Sequence, residues 1–98
     1  LYWGLRFYSD VYFFEELKHF SQLSTNFHLQ ICLSREENLD KISPQDRQNF
    51  FLGRINRALI QSKEADYYIC GSPLVVDYFK AYLQKKGINK AAIYFEKF

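Results

Sequence analysis

The alternation of short apolar runs with longer amphipathic segments predicts an α/β fold: a parallel sheet with helices on both faces, in the order β-α-β-α-β-α-β. Three observations lead there. Four short apolar runs lie at residues 1–4, 27–33, 67–70 and 91–95, each short enough and bounded well enough to read as a buried strand. The segments between them are longer, and each contains apolar residues at helical spacing. Hydrophobic residues make up 48% of the 98, enough to pack a core in one small domain or part of one.

Taken in order, residues 1–4 form an apolar run closed by Gly4, and residues 5–10 a loop carrying Arg6. A helix is expected to start near residues 11–13, with Phe13, Leu17 and Phe20 on one face and Phe14 beside them. Glu15 and Glu16 fall in its first turn, with Lys18 and His19 later, an order that suits the helix macrodipole. After Ser24-Thr25-Asn26 comes the second strand, residues 27–33. Residues 34–49 are polar, contain Pro44 and show no periodicity, so they predict a surface loop long enough to be functional or mobile. Phe51, Leu52, Ile55, Ala58 and Leu59 describe a second helix, with Arg54 and Arg57 on or near its polar side. A connection at residues 63–66 leads to the third strand. The third helix is expected from Pro73 to about residue 86, with Val75, Val76, Phe79, Tyr82 and Leu83 inside and Gly87 as its stop. Residues 91–95 close the chain as the last strand.

The stretch from Tyr67 to Pro73 organises the rest. Tyr67 to Ile69 read as a buried strand, Ser72 is a good N-cap, and Pro73 suits the first helical position because it has no N–H to leave unpaired. Gly71 lets backbone or ligand approach closely. Cys70 is thereby placed at the carboxyl end of a strand beside a helix N-terminus, the place where ligands bind in open α/β sheets.

Composition narrows the classes. A net charge of +2 is too near neutral for a nucleic-acid footprint. Cys32 and Cys70 offer no disulfide framework, which points to a reducing, cytoplasmic setting. No apolar run approaches the length of a membrane span; association with a membrane through partners stays open. The chain begins at Leu1 and contains no Met, so an amino-terminal part is expected to be missing. His19 and His28 are scattered and make no metal site.

The residues resemble a known family. Leu1-Tyr2-Trp3-Gly4-Leu5-Arg6, then Asp10-Val11-Tyr12 and Glu16-Leu17, look like the Tyr-x-Gly-x-Arg … Asp-Leu-x-Tyr … Glu-Leu pattern of the ferredoxin–NAD(P) reductase superfamily. Leu33-Ser34-Arg35 and Gly53-Arg54-Ile55 fit its third strand and following helix, Cys70-Gly71-Ser72-Pro73 is similar to its Cys-Gly-x-Pro signature, and Glu96-Lys97-Phe98 resembles its Glu-x-Phe ending. The likeness runs along nearly the whole chain in the family's order, and is nearest to the NAD(P)H–flavin reductase and oxygenase-reductase branch. Val75 stands where the family often has Met. The family's Gly-rich pyrophosphate loop and its Arg-x-Tyr-Ser flavin motif have no counterpart in these residues.

The resemblance implies a Rossmann-like nicotinamide-nucleotide domain, of which residues 1–98 are a part. Its first strand and an FAD-binding barrel are expected upstream. In the family's strand order 3-2-1-4-5, the four strands here would be strands 2, 3, 4 and 5, with the central one absent. The implied activity is hydride transfer from NAD(P)H to flavin, with electrons leaving for an iron–sulfur protein, an oxygenase component, a haem or a free flavin. Cys70 and Glu96 then fall at the nicotinamide–flavin junction. Gly4, Arg6, Ser34, Arg35, Arg54, Gly71, Ser72, Pro73 and Phe98 fall at cofactor-binding positions, with Ser34 and Arg35 where the family reads the adenosine 2′-phosphate. Arg35 favours NADPH; Glu36 and Glu37 keep NADH open. Taken singly, the arginines are ordinary surface residues and either cysteine is a small core residue. A flavodoxin-like or receiver-like regulatory module that binds a partner and catalyses nothing is the alternative. Receiver modules hold Mg²⁺ in a carboxylate cluster at strand ends, where this chain has Gly4, Leu33-Ser34, Cys70-Gly71 and Glu96.

Overall fold

A computed structural model describes residues 1–59, 62 and 64–98. The chain divides into two compact units, Leu1–Ile60 and Gln61–Phe98. The expected connection from Lys63 begins outside the described residues.

The first unit is built on a three-stranded parallel sheet. Its strands are β1 (Tyr2–Leu5), β2 (Gln30–Leu33) and β3 (Phe50–Leu52), in that spatial order. Trp3 pairs with Ile31 and Leu5 with Leu33; Ile31 in turn pairs with Phe50. One face therefore carries Trp3, Leu5, Ile31, Leu33 and Phe50. Against it pack Phe14 and Leu17 of α1 (Phe14–Leu23), together with Leu29, Leu39 and Ile42. Ile31 and Leu33 are fully buried, and each such side chain contributes roughly 1.5–3 kcal/mol. The other face carries Gly4, Cys32 and Phe51. There Ile55 of the one-turn α2 (Ile55–Ala58) sits so close to Gly4 that a Cβ would meet its Cδ1 at 2.9 Å.

Three expectations change in this unit. Phe50–Leu52 is a strand, not the start of a helix, and the helix that follows is a single turn. The element order is therefore β-α-β-β-α-β-α-β. Three apolar residues running into Ile55 mimic helical spacing, and pairing with β2 decides the matter. Secondly, α1 starts at Phe14, because Phe13 takes a left-handed φ of 57° and stands outside the helix. Its buried face is Phe14 and Leu17; Phe13 is 66% exposed and Phe20 is exposed as well. Finally, residues 34–49 are more than a surface loop. They contain a 3₁₀ helix at Pro44–Asn49, and Ile42 and Leu39 reach the core. A pair between Lys18 Nζ and Asp46 Oδ1, 2.8 Å apart, ties that helix to α1 and raises the lysine's pKa through the hydrogen bond.

The second unit pairs β4 (Tyr67–Gly71) in parallel with β5 (Ile93–Lys97) and lays α3 (Pro73–Lys85) on one face. Ser72 is the N-cap, its Oγ accepting from the Val75 N–H at 3.4 Å, with Pro73 next. At the other end the Gly87 N–H donates to the Gln84 carbonyl and the Ile88 N–H to the Leu83 carbonyl, both at 3.0 Å. That is a full Schellman motif. Gly87 supplies the positive φ of 91° it needs, and Ile88 buries against the same end as Leu83. Val76 and Leu83 are the buried residues of α3, while Val75, expected inside, is exposed. A short 3₁₀ turn, Lys90–Ala92, takes the residues expected to open the last strand, so β5 begins at Ile93.

The five strands among the described residues are parallel within their sheets; the first sheet has helical elements on both faces, and among the described residues the second has a helix, α3, on one face. Two groups of strands flanking an absent central strand were expected; the described strands form one sheet of three, which includes the unexpected β3, and one of two. Within the two groups, β1 pairs with β2 and β4 with β5.

Candidate functional site

The two catalytic candidates lie 26 positions apart in sequence and meet in the second unit. β4 and β5 are in register with Cys70 opposite Glu96, and Tyr68 opposite Tyr94. The α3 side of this sheet is marked by Ile93, by Phe95 under Lys80 Nζ at 3.8 Å, and by Lys97, 3.0 Å from Asp77 of α3. Side chains alternate along a strand, so Tyr68, Cys70, Tyr94 and Glu96 share the opposite face. Tyr68 and Tyr94 stack there, 4.9 Å between centroids and 14° between planes. Cys70 and Glu96 are both exposed.

Gly71 ends β4 with φ at 157°, a region that glycine enters freely and other residues do not. A Cβ there would come within 3.3 Å of Val75. The Gly71 carbonyl accepts the Phe98 N–H at 2.9 Å, so Phe98 extends the β4–β5 ladder and leaves its ring exposed. Cys70, Gly71, Ser72, Pro73, Glu96 and Phe98 thus stand together at the carboxyl end of this sheet.

A second group forms at the carboxyl end of the first unit's sheet. Arg6 follows β1, Ser34 and Arg35 follow β2, and Gly53 and Arg54 follow β3. The ladder runs past the strands: the Ser34 N–H donates to the Leu5 carbonyl, the Arg35 N–H to Arg6 and the Gly53 N–H to Leu33, each at 2.9 Å. Neighbouring strands lie about 4.8 Å apart, so three exposed arginines follow one another along one edge. An arginine fork matches the geometry of a phosphate. Gly4 is not part of this edge; it lies inside β1 with Ile55 over it.

Two residues not singled out for this edge by sequence also belong to it. Arg57, on α2, holds Nη1 3.6 Å from where a Gly53 Cβ would be; its spacing of three from Arg54 was the available signal. Glu36, considered only as a ribose ligand, has its carboxylate engaged. Oε2 accepts the Tyr8 N–H at 2.8 Å, and Oε1 lies 3.5 Å from Lys41 Nζ.

The two cysteines differ sharply. Cys32 is buried in mid-sheet and desolvation pushes its thiol up to about 11; Cys70 is exposed at a strand end. His19 and His28 are exposed, and among the described residues no group of three or more His, Cys, Asp or Glu side chains is placed to hold a metal ion. Among the same residues no helix is long and apolar enough to cross a membrane.

Fold and strand-end groups together describe a small parallel α/β chain with a thiol–carboxylate pair at one carboxyl edge and a row of arginines at another. No family model matches the chain, and no solved structure matches it significantly. Two curated proteins are similar to it. The toluate 1,2-dioxygenase electron transfer component of Pseudomonas putida is 28% identical over 98 residues, which is 100% of this chain and 28% of that protein. The 2-halobenzoate 1,2-dioxygenase electron transfer component of Burkholderia cepacia is 32% identical over 60 residues, 61% of this chain and 18% of that protein. The chain therefore spans less than a third of the length of these relatives. Both are named for electron transfer, which agrees with the reductase resemblance of the motifs.

Proposed function

We propose that this chain is part of the NAD(P)H-binding domain of an FAD-dependent reductase that delivers electrons to an oxygenase component. The observation that carries the reading is the register of Cys70 with Glu96 beside Gly71-Ser72-Pro73 at one strand end. The bound nicotinamide and flavin would supply the hydride donor and acceptor. Cys70 would pack against the nicotinamide and help polarise it in the transition state, without acting as a nucleophile. Glu96 would place a carboxylate beside the same ring, and Phe98 would meet the flavin face. FAD itself is expected on an upstream domain, together with the sheet's first strand and pyrophosphate loop. Arg6, Arg35 and Arg54, with Ser34, suit the nucleotide's phosphates, and Arg35 favours a 2′-phosphate. A receiver-like module would take its identity from acidic strand ends; the residues that follow β1, β2 and β3 are Arg6, Ser34 and Gly53.

The test is stopped-flow reduction of the flavin in the full-length protein. Cys70→Ala is expected to slow reduction about 10- to 100-fold with little change in nucleotide Kd, as for an interaction made mainly in the transition state. An unchanged rate returns Cys70 to the role of a packing residue. Arg35→Ala is expected to weaken NADPH roughly 10-fold or more and to leave NADH nearly untouched, with Arg54→Ala in the same direction. An equal loss for both nucleotides would assign these arginines to a phosphate common to the two.

A further inference from the structure

We infer that Glu36 is a positioning residue for the arginine edge, and that it acts by splicing two loops rather than by touching nucleotide; the inference rests on the anion-binding reading above. Arg6 and Arg35 lie on different loops, the turn after β1 and the segment after β2. Their backbones stay paired only as far as the Arg35 N–H to Arg6 carbonyl bond. Beyond it the turn after β1 winds into the 3₁₀ helix at Tyr8–Asp10 and its backbone leaves the ladder.

Glu36 takes over at that point. Its Oε2 accepts the Tyr8 N–H at 2.8 Å across 28 positions of sequence, so a side-chain oxygen joins the two loops beyond the last backbone bond between them. The carboxylate is only 11% exposed, although it belongs to a polar loop, and Lys41 approaches its other oxygen. Asp10 closes the same turn on itself by accepting the Phe7 N–H at 3.1 Å. The turn after β1 is thereby held both internally and to its neighbour. A charge-assisted bond of this kind is stronger than a neutral one, and it fixes the spacing of two long cationic side chains that an anion must bridge.

The experiment compares Glu36→Ala, Glu36→Gln, Arg6→Ala and Arg35→Ala in the full-length reductase, with NADPH and NADH as probes. Glu36→Ala is expected to raise KM about 3- to 10-fold for the nucleotide that the arginine variants weaken, with kcat unchanged. Glu36→Gln, whose amide oxygen still accepts the Tyr8 N–H, is expected to return KM to within about twofold of wild type. Hydrogen exchange at the Tyr8 amide should quicken in Glu36→Ala and not in Glu36→Gln. If the arginine variants raise KM and Glu36→Ala does not, the positioning role is overturned while the anion site stands. If neither arginine variant changes KM for either nucleotide, the anion site fails and takes this inference with it.

Discussion

β2 and β4 are both short parallel strands with unbroken apolar runs, and they end in different surroundings. In β2, Ile31, Cys32 and Leu33 are all buried: α1 and its neighbours cover the face of Ile31 and Leu33, and Ile55 of α2 sits on the other face over Gly4, the partner of Cys32. β4 alternates between half-buried and exposed residues: α3 covers one face, and the opposite face leaves Tyr68 75% exposed. Parallel strands ordinarily lie between two covered faces, and their sequences read accordingly. Tyr67-Tyr68-Ile69-Cys70 reads that way too. An apolar run fixes what a strand can bury; the elements that cross it decide what it does bury.

The largest effect is expected at the strand covered on both sides. Leu33→Ala should cost about 2–5 kcal/mol in urea unfolding, because its site has packed side chains on every hand. A loss below 1 kcal/mol would mean that β2 is not closed in as described.

Second comes pH. Cys32 is held neutral by burial, at about 11 against 9.0 when free. As pH rises past 9 the unfolded chain loses this proton first and the folded chain keeps it until about 11. The contribution is therefore intact below pH 9 and is lost on going up towards 11, by on the order of 1–3 kcal/mol. Subtracting the pH profile of Cys32→Ala from that of the parent isolates it, and parallel profiles would refute it. A thiol reagent at pH 8 should label Cys70 and spare Cys32 in the folded protein.

Third, Ser72→Ala should cost roughly 1 kcal/mol, and Ser72→Gly only a few tenths. Thermal unfolding would show equal losses for the two if the hydroxyl did no capping. Smallest is Tyr68→Ala, expected within about 0.5 kcal/mol for an exposed side chain whose stacking partner is also exposed. A cost above 2 kcal/mol would show that the open face of β4 is covered in the full-length protein, and would erase the contrast with β2.

How much was legible in the sequence follows how local each determinant is. Ser72, Pro73 and Gly87 bracket α3 through contacts within a few residues, and its ends were read closely. β3 was missed because three apolar residues are too few to show a period of two, and only the partner β2 distinguishes them from a helix start. The core-facing side of α1 was misjudged at Phe13 and at Phe20, both exposed; the left-handed backbone of Phe13 leaves no trace in composition. At the candidate site, Cys70 could be picked out by the residues around it. Its pairing with Glu96 depends on the register of β4 and β5, and Glu36's role on a hydrogen bond spanning 28 positions. Neither separation can be read by a local rule.

The link between α3 and β5 acts as a ruler for the protein's evolution. The Schellman turn at Gly87 fixes where the chain leaves the helix, and the Asn89 side chain, accepting the Ala91 N–H at 2.9 Å, fixes the 3₁₀ turn that delivers Ile93 to the sheet. A strand shifted by one residue presents its opposite face. One codon inserted or deleted in residues 87–92 would turn Glu96 towards α3 and bring Phe95 or Lys97 opposite Cys70. The segment between β2 and the 3₁₀ helix at Pro44–Asn49 is free of that restriction over its exposed residues, 37 and 38 among them. Lineages of this chain should therefore drift in length there and hold residues 87–92 to a constant count.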